Sequence, residues 1–249
     1  MASWWHITAP YAQTSAGKVF HSLETAFACR GELITASPIS RVKRVEIGPE
    51  AFYVKLYYAG GKHLRRWIGR SRARAEWENL KYFHHLGIPA AVLTAFGQET
   101  RLGLFKRAAL ITREIPDTRD LASLQNENHP LLRDRRWVNV VSRQIATHTR
   151  RLHRAGFVHV DLKWRNILVN LSGSPRIFLI DCPAGCHRGR LLAPRGFIKD
   201  LACLDKVAKR QLSRTQRLRF YLDYVQRRRL TADDKKRIQR ILCFFYGRD

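Results

Sequence analysis

Between His159 and Asp181 the chain sets three oxygen-bearing side chains at the ends of two short apolar runs, and this stretch narrows the possible folds most. His159-Val160-Asp161-Leu162-Lys163-Trp164-Arg165-Asn166 leads into Ile167-Leu168-Val169. Leu171-Ser172-Gly173-Ser174-Pro175 then supplies turn residues, and Ile177-Phe178-Leu179-Ile180 ends at Asp181. Apolar runs on either side of a Ser/Gly/Pro cluster read as a β-hairpin, here with a carboxylate at each end. Phosphoryl transfer needs such a set: one carboxylate to accept a hydroxyl proton, and an Asn with a second carboxylate to hold Mg²⁺ on phosphates. Taken singly, Asp161, Asn166 and Asp181 are ordinary turn residues. Their order, with Lys55 and Glu76 upstream, argues against coincidence.

The charge balance is the second constraint. Lys and Arg number 46 against 20 acidic residues, a formal +26. A field of that size draws polyanions, whether nucleic acid, anionic lipid headgroups or phosphorylated glycolipid, and does not choose among them. The hydrophobic share of 45% excludes bulk disorder. No apolar run reaches the roughly 18 to 20 residues of a membrane span, and the start Met1-Ala2-Ser3-Trp4-Trp5-His6 does not resemble a secretory signal, so cytoplasmic residence is the expectation. Five cysteines are scattered, and Cys182, Cys186 and His187 lack a second pair at zinc-site spacing. They read as thiols of a reducing compartment.

Along the chain, Val42, Val45 and Ile47 precede a turn at Gly48-Pro49-Glu50, and Phe52 to Tyr58 reads as a strand. Strand alternation puts Lys55 on one face with Tyr53 and Tyr57, opposite Phe52, Val54 and Leu56. A lysine so placed must reach water or find an anion. Residues 71–86 read as a helix stopped by Gly87 and Pro89, with Ala73, Glu76, Leu80 and Phe83 on one arc. Glu76 on an apolar stripe needs a partner; Lys55 is the candidate, and a nearby arginine the alternative. Residues 110–115 read as a strand and 137–154 as a helix closed by Gly156. Further helices are expected beyond Lys199, the last starting at Thr231-Ala232-Asp233-Asp234.

The run H-x-D-x-x-x-x-N, followed by a strand ending in Asp, resembles the catalytic core of the protein-kinase-like superfamily. Within it the sequence is most similar to the bacterial lipopolysaccharide core kinase family, which phosphorylates inner-core heptose or Kdo. That likeness rests on compact size, Arg41-Val42-Lys43-Arg44 in place of a glycine loop, the run beginning at Asp200, and the basicity. It implies an α+β, two-lobed kinase fold. A β-rich N-terminal lobe with one main helix would span 1–115, and a mostly helical C-terminal lobe 116–249.

By position, the resemblance implies Asp161 as the proton acceptor and Lys163 as a cation on the γ-phosphate. Asn166 and Asp181 would hold Mg²⁺, and Lys55, anchored by Glu76, the α- and β-phosphates of ATP. Glu114 and Ile115 would offer backbone groups to adenine, and His159 would brace the loop. The expected partners are the core glycolipid as acceptor and an anionic membrane surface, with no nucleic acid; the expected place is the cytoplasmic face of the inner membrane.

The sequence departs from the kinase pattern in several ways. Gly48 stands alone where a phosphate-covering loop is expected, so Arg41, Lys43 and Arg44 are candidates to neutralise phosphates instead. Cys182-Pro183 follows Asp181, and Val160 precedes Asp161, which predicts activity without loop phosphorylation. The basic run Lys62, Arg65, Arg66, Arg70, Arg72 and Arg74 is a candidate membrane contact. Two alternatives stay open: an atypical protein or small-molecule kinase, and a pseudokinase that binds RNA or other polyanions.

Overall fold

The computed structural model describes residues 2–61, 69–189 and 191–247. The chain divides into two compact units, Met1–Tyr82 with Ala91–Ile115, and Phe83–Ala90 with Pro116–Asp249.

The first unit is built on one antiparallel sheet. Its elements are β1 (Ala2–Ile7), α1 (Ser15–Val19), α2 (Leu23–Ala28), β2 (Glu32–Ala36), β3 (Ser40–Ile47), β4 (Glu50–Tyr57), α3 (Arg72–His85), β5 (Val92–Arg101) and β6 (Leu104–Arg113). The strand order is β1-β5-β6-β4-β3-β2. Strand alternation in β4 sends Phe52, Val54 and Leu56 to one face, and all three are buried. The α1 and α2 helices cover that face with Ala16, Phe20, Leu23 and Ala26. Phe20 meets Phe52 edge-on, with ring centroids 5.6 Å apart. Ser22 and Thr25 form a capping box that starts α2. Trp5 of β1 donates from its indole nitrogen to the Phe20 carbonyl at 2.8 Å, and lies directly opposite Gly97. A Cβ at Gly97 would stand 2.3 Å from the Trp5 ring, so only glycine admits that close crossing.

The turn expected at Gly48-Pro49-Glu50 forms, and the strand expected at 110–115 has other bounds. Gly48, at φ +60°, forms with Pro49 the tight turn between β3 and β4, where Ile47 pairs with Glu50. Two residues make a hairpin turn and leave no loop to cover phosphates. The connection that does loop lies between β2 and β3, at Ser37, Pro38 and Ile39, where the Ser37 hydroxyl accepts from the Ser40 N–H at 3.1 Å. The strand expected at 110–115 starts at Leu104 and ends at Arg113, with the Glu114 N–H still bonding the Ala51 carbonyl of β4 at 2.8 Å.

The second unit holds β7 (Thr118–Asp120), α4 (Leu121–Asn126), α5 (Arg135–Arg154), β8 (Phe157–Val158), β9 (Ile167–Asn170), β10 (Ile177–Leu179), β11 (Cys186–His187), α6 (Ala193–Gln211), α7 (Arg214–Val225) and α8 (Ala232–Leu242). Asp134 caps α5, which buries Val138, Val141, Ile145 and Leu152 at helical spacing. Residues 83–90 join this unit through α5: the Arg151 guanidinium donates to the Leu86 and Gly87 carbonyls at 2.9 and 2.8 Å. β9 and β10 pair as the predicted hairpin, in register Ile177 to Val169. Gln144 of α5 clamps it, accepting from the Ile177 N–H at 3.1 Å and donating to the Pro175 carbonyl at 2.6 Å. At the start of α8, Thr231 and Asp234 complete a capping box.

Phe20 has no exposed surface. Phe20→Ala is expected to cost about 3–5 kcal/mol of stability, read as a lower urea midpoint with unchanged slope. A variant with the wild-type midpoint would show that α1 and α2 are not part of the first unit's core.

Candidate active site

The loop 159–166 and the turn at Asp181 meet within the second unit. The Asn166 side-chain amide donates to the Asp161 carbonyl at 2.8 Å, and the Asn166 carbonyl accepts from the Ile180 N–H at 3.0 Å. The second contact fixes the end of β10 beside the loop, so Asp181 follows directly after it. Asp181 adopts φ +55°, a left-handed conformation that turns the chain sharply there. The charges of Asp200, Asp161 and Asp181 all act on the His159 ring.

Asp161 is half-buried and doubly held. Lys163 Nζ stands 2.6 Å from Asp161 Oδ1, and an Arg165 guanidinium nitrogen 3.4 Å from Oδ2. Burial alone would raise the carboxyl, but the Lys163 hydrogen bond and the Lys163 and Arg165 charges outweigh it, so Asp161 titrates below the ordinary aspartate range. It is ionised throughout the neutral range, as a proton acceptor must be.

Asp200 is the group that sequence reasoning missed as a contributor here. It has no exposed surface. Its Oδ2 accepts from the His159 N–H at 2.7 Å and its Oδ1 from the Val160 N–H at 2.8 Å. His153 Nε2 lies 3.2 Å from Oδ2, and His153 Nδ1 lies 2.8 Å from the Tyr224 hydroxyl. Val160 sits at φ +73°, which a β-branched residue adopts only when its surroundings force it. The two hydrogen bonds to one fixed carboxylate supply that force. A buried Asp in α6, 39 positions beyond Asp161, carries no local sequence signature for such a long-range role. The His159 ring stacks on Phe83, with centroids 5.8 Å apart, and neither ring nitrogen has a partner among the described residues. Burial pushes its pKa down, so it packs as a neutral ring.

The first unit carries a second set. Lys55 Nζ lies 2.9 and 3.1 Å from the two Glu76 oxygens, and the Tyr57 hydroxyl also donates to Glu76. Glu76 is buried on α3, while Lys55 is registered between Val42 and Leu110 in the middle of the sheet. A buried carboxylate is tolerated there because an ammonium and a phenol satisfy it.

Other expected residues are placed differently. Arg44 makes a fork with Glu114, at 2.7 Å from Nη2 and 3.0 Å from Nε, and also holds Glu46 at 2.5 Å. The Glu114 hydrogen bond, then that of Glu46, pushes its pKa up. Arg44 is therefore committed to carboxylates and not free to neutralise phosphates. Glu114 also accepts from the Tyr53 hydroxyl at 2.9 Å. With its N–H given to Ala51, Glu114 has only its carbonyl left to offer a ligand from its backbone. Arg41 lies over the Tyr58 ring at 5.6 Å, one step beyond the β2–β3 connection. Ile115 is half-buried at the end of the first unit.

Of the basic run, Lys62, Arg65 and Arg66 lie outside the described residues. Arg70 and Arg74 share Glu78 at 2.8 and 2.7 Å, which halves what those two add to a positive surface.

No three of the described His, Cys, Asp and Glu side chains group as a metal cage. Mg²⁺ does not need one, since it takes one or two protein oxygens together with substrate phosphates and water. With the Asn166 nitrogen given to Asp161, its Oδ1 is left as an acceptor, and Asp181 follows directly on the residue whose N–H bonds the Asn166 carbonyl. These residues fit that ion.

Replacing Lys163 by Met removes the hydrogen bond and charge that depress Asp161 while leaving its burial. The Asp161 pKa should then rise from its wild-type position, with Arg165 still holding it in part, followed by carboxyl carbon NMR through a pH titration. In the wild type, the stability that Asp161 lends is full above its unfolded pKa and lost as pH falls through the lower folded one. An Asp161 titration unchanged in Lys163→Met would mean that the pair does not form in solution.

No curated protein matches the chain. Among solved structures, one described as "WaaP in complex with acyl carrier protein" is similar over 96% of both chains, with a TM-score of 0.72 and 21% identity, and so shares the fold. That likeness establishes the two-lobed, kinase-like α+β architecture. The family model described as "Lipopolysaccharide kinase (Kdo/WaaP) family" matches residues 39–224, three quarters of the chain and all of the site residues named above. The protein belongs to the lipopolysaccharide kinase (Kdo/WaaP) family and is a phosphotransferase of the kinase type.

Proposed function

We propose that this protein transfers the γ-phosphoryl group of ATP to a sugar hydroxyl, of heptose or Kdo, in the lipopolysaccharide inner core. The reaction would run at the cytoplasmic face of the inner membrane. The observation that carries the reading is the ionised Asp161, held by Lys163 at 2.6 Å in a loop whose Asn166 amide bonds the Asp161 carbonyl at 2.8 Å. A carboxylate so held suits the proton that leaves the acceptor hydroxyl as its oxygen bonds to phosphorus and the bond to the β-phosphate oxygen breaks.

In this reading Asn166 and Asp181 hold Mg²⁺, which when bound supplies positive charge to the phosphates. Lys55, fixed by Glu76 and Tyr57, holds the α- and β-phosphates. Lys163 serves twice, orienting Asp161 and presenting its ammonium to the transferred group. Asp200 is a positioning residue that sets the backbone of His159 and Val160. Arg41 takes the phosphate-facing role alone, since Arg44 is occupied. The Glu114 carbonyl and Ile115 face adenine.

The acceptor assignment rests on the family and on the formal charge of +26, which suits an anionic glycolipid in an anionic membrane. The structural neighbour was solved with acyl carrier protein, which makes such a carrier a partner to test here too.

Asp161→Ala should lower kcat by about 10²–10⁴-fold with binding of ATP retained. Core oligosaccharide from cells lacking the protein should lack one phosphate by mass spectrometry, restored by the wild type and not by Asp161→Ala. An unaltered core in those cells would refute the acceptor, while magnesium-dependent turnover that survives Asp161→Ala would refute the proton acceptor.

A further inference from the structure

Within the second unit, α5, the first turns of α6, the end of α7 and the start of α8 enclose a cavity of about 650 Å³. Its apolar lining comes from Phe197, Ile198, Leu201 and Val225. Its charged lining is arginine: Arg150 and Arg154 from α5, Arg227 beyond α7, and Arg237 and Arg240 from α8. Asp233 and Asp234 are the acidic residues in the wall.

Only one of the five arginines is neutralised by a carboxylate among the described residues. Arg227 holds Asp234 at 2.7 Å. Asp234 is buried, which alone would raise its pKa, but the Thr231 N–H and hydroxyl, Arg227 and Tyr221 together keep it well below the usual carboxylate range. It is a structural anion with its acceptor capacity used. Arg150 gives one nitrogen to the Tyr224 carbonyl at 3.0 Å, and its buried Nε has no acceptor among the described residues. Arg154 and Arg240 make no hydrogen bond or ion pair with the described residues. Arg237 hydrogen-bonds the Tyr221 phenol, and its charge acts on Tyr221 and Tyr224.

Arg150 and Arg154 stand four apart on one helix, and Arg237 and Arg240 three apart on another. Like charges at those spacings repel. Burying a guanidinium donor without an acceptor adds a further cost. Phosphate offsets both, because its oxygens accept the forked arginine donors. Arg150 is half-buried while Arg154, Arg237 and Arg240 stand exposed at the rim above an apolar floor, and the volume lies in the range that holds a small ligand.

We propose that this cavity binds a lipid phosphate ester, with the phosphate on Arg150, Arg154, Arg237 and Arg240 and the first methylenes of the lipid on Phe197, Ile198 and Leu201. A membrane phospholipid and a phosphorylated glycolipid share that chemistry. None of the residues proposed to touch ATP, metal or acceptor lines the cavity, although His153 and Tyr224 in its wall also hold Asp200; occupancy is read without turnover, so failure of one reading is distinguishable from failure of the other.

The test is calorimetric titration of the full chain at roughly 0.15 M salt, where the Debye length is about 8 Å and loose attraction to a basic protein is screened. The probes are dihexanoyl phosphatidic acid, dihexanoyl phosphatidylcholine, a phosphorylated glucosamine lipid and inorganic phosphate, each below its micelle concentration. Phosphatidic acid or the glycolipid phosphate should bind once per chain, and phosphatidylcholine and inorganic phosphate at least about tenfold more weakly, the scale of one charge-assisted hydrogen bond. The doubly substituted R154S/R240S chain, with both changes at exposed positions and folding checked by thermal melting, should lose about tenfold or more for the preferred probe. Phe197→Ala, a second variant, should weaken the lipid phosphates and leave inorganic phosphate unaffected. The tighter of the two lipid phosphates identifies the source. Equal binding by the wild type and the doubly substituted chain overturns the site, as does phosphatidylcholine binding as tightly as phosphatidic acid. Inorganic phosphate matching the lipid phosphates overturns the lipid assignment.

Discussion

One buried carboxylate sets the backbone on which the proposed chemistry depends. Asp200, without exposed surface, accepts both the His159 and the Val160 N–H. An ionised group in that position would be costly if any of its lone pairs went unmet. Here two amides and the His153 ring surround it, and the ring is itself held by Tyr224. In return the carboxylate keeps Val160 in a left-handed conformation that the free chain would avoid. The direction in which Asp161 leaves the loop follows from that one residue. Strain at 160 and burial at 200 are two sides of the same arrangement.

The same rule, that a buried charge is kept only where it is met, recurs in the first unit. Glu76 lies under the sheet because Lys55 and Tyr57 satisfy it. Glu114 is met by Arg44 and Tyr53, and Glu99 by Lys106 and Arg107. Acids are scarce in this chain, and many of the ones present are spent on fixing basic side chains in set positions. What remains of the surplus is therefore not spread evenly. It gathers where arginines lack carboxylates, as around the cavity between α5 and α8.

Much of this was legible in the residues because periodicity and spacing carry it. Strand alternation paired Lys55 with the correct face, and the arc of α3 put Glu76 on the buried side. The Ser-Gly-Ser-Pro turn announced the hairpin that ends at Asp181. What was not legible has physical causes. α1 and α2 are 5 and 6 residues long, too short for a helical period to show. β1 is mostly exposed, so no apolar alternation marked it. The Arg44–Glu114 fork joins residues 70 apart, and Asp200 meets His159 across 41; neither separation leaves a trace in local sequence. Charge counting likewise failed at Arg70 and Arg74, because the partner Glu78 is close enough to cancel part of what the run seemed to offer.

The family likeness begins at residue 39, yet the sheet it describes is finished by residues that come before it. Tyr11, Phe20 and Leu23 roof the side of the sheet formed by Phe52, Val54 and Leu56. A version of this enzyme trimmed to the shared portion would keep every residue implicated in chemistry and would still leave a greasy wall open to water. Such a wall invites self-association. The opening thirty residues are thus part of the fold itself, closing a core that the family match alone leaves half built.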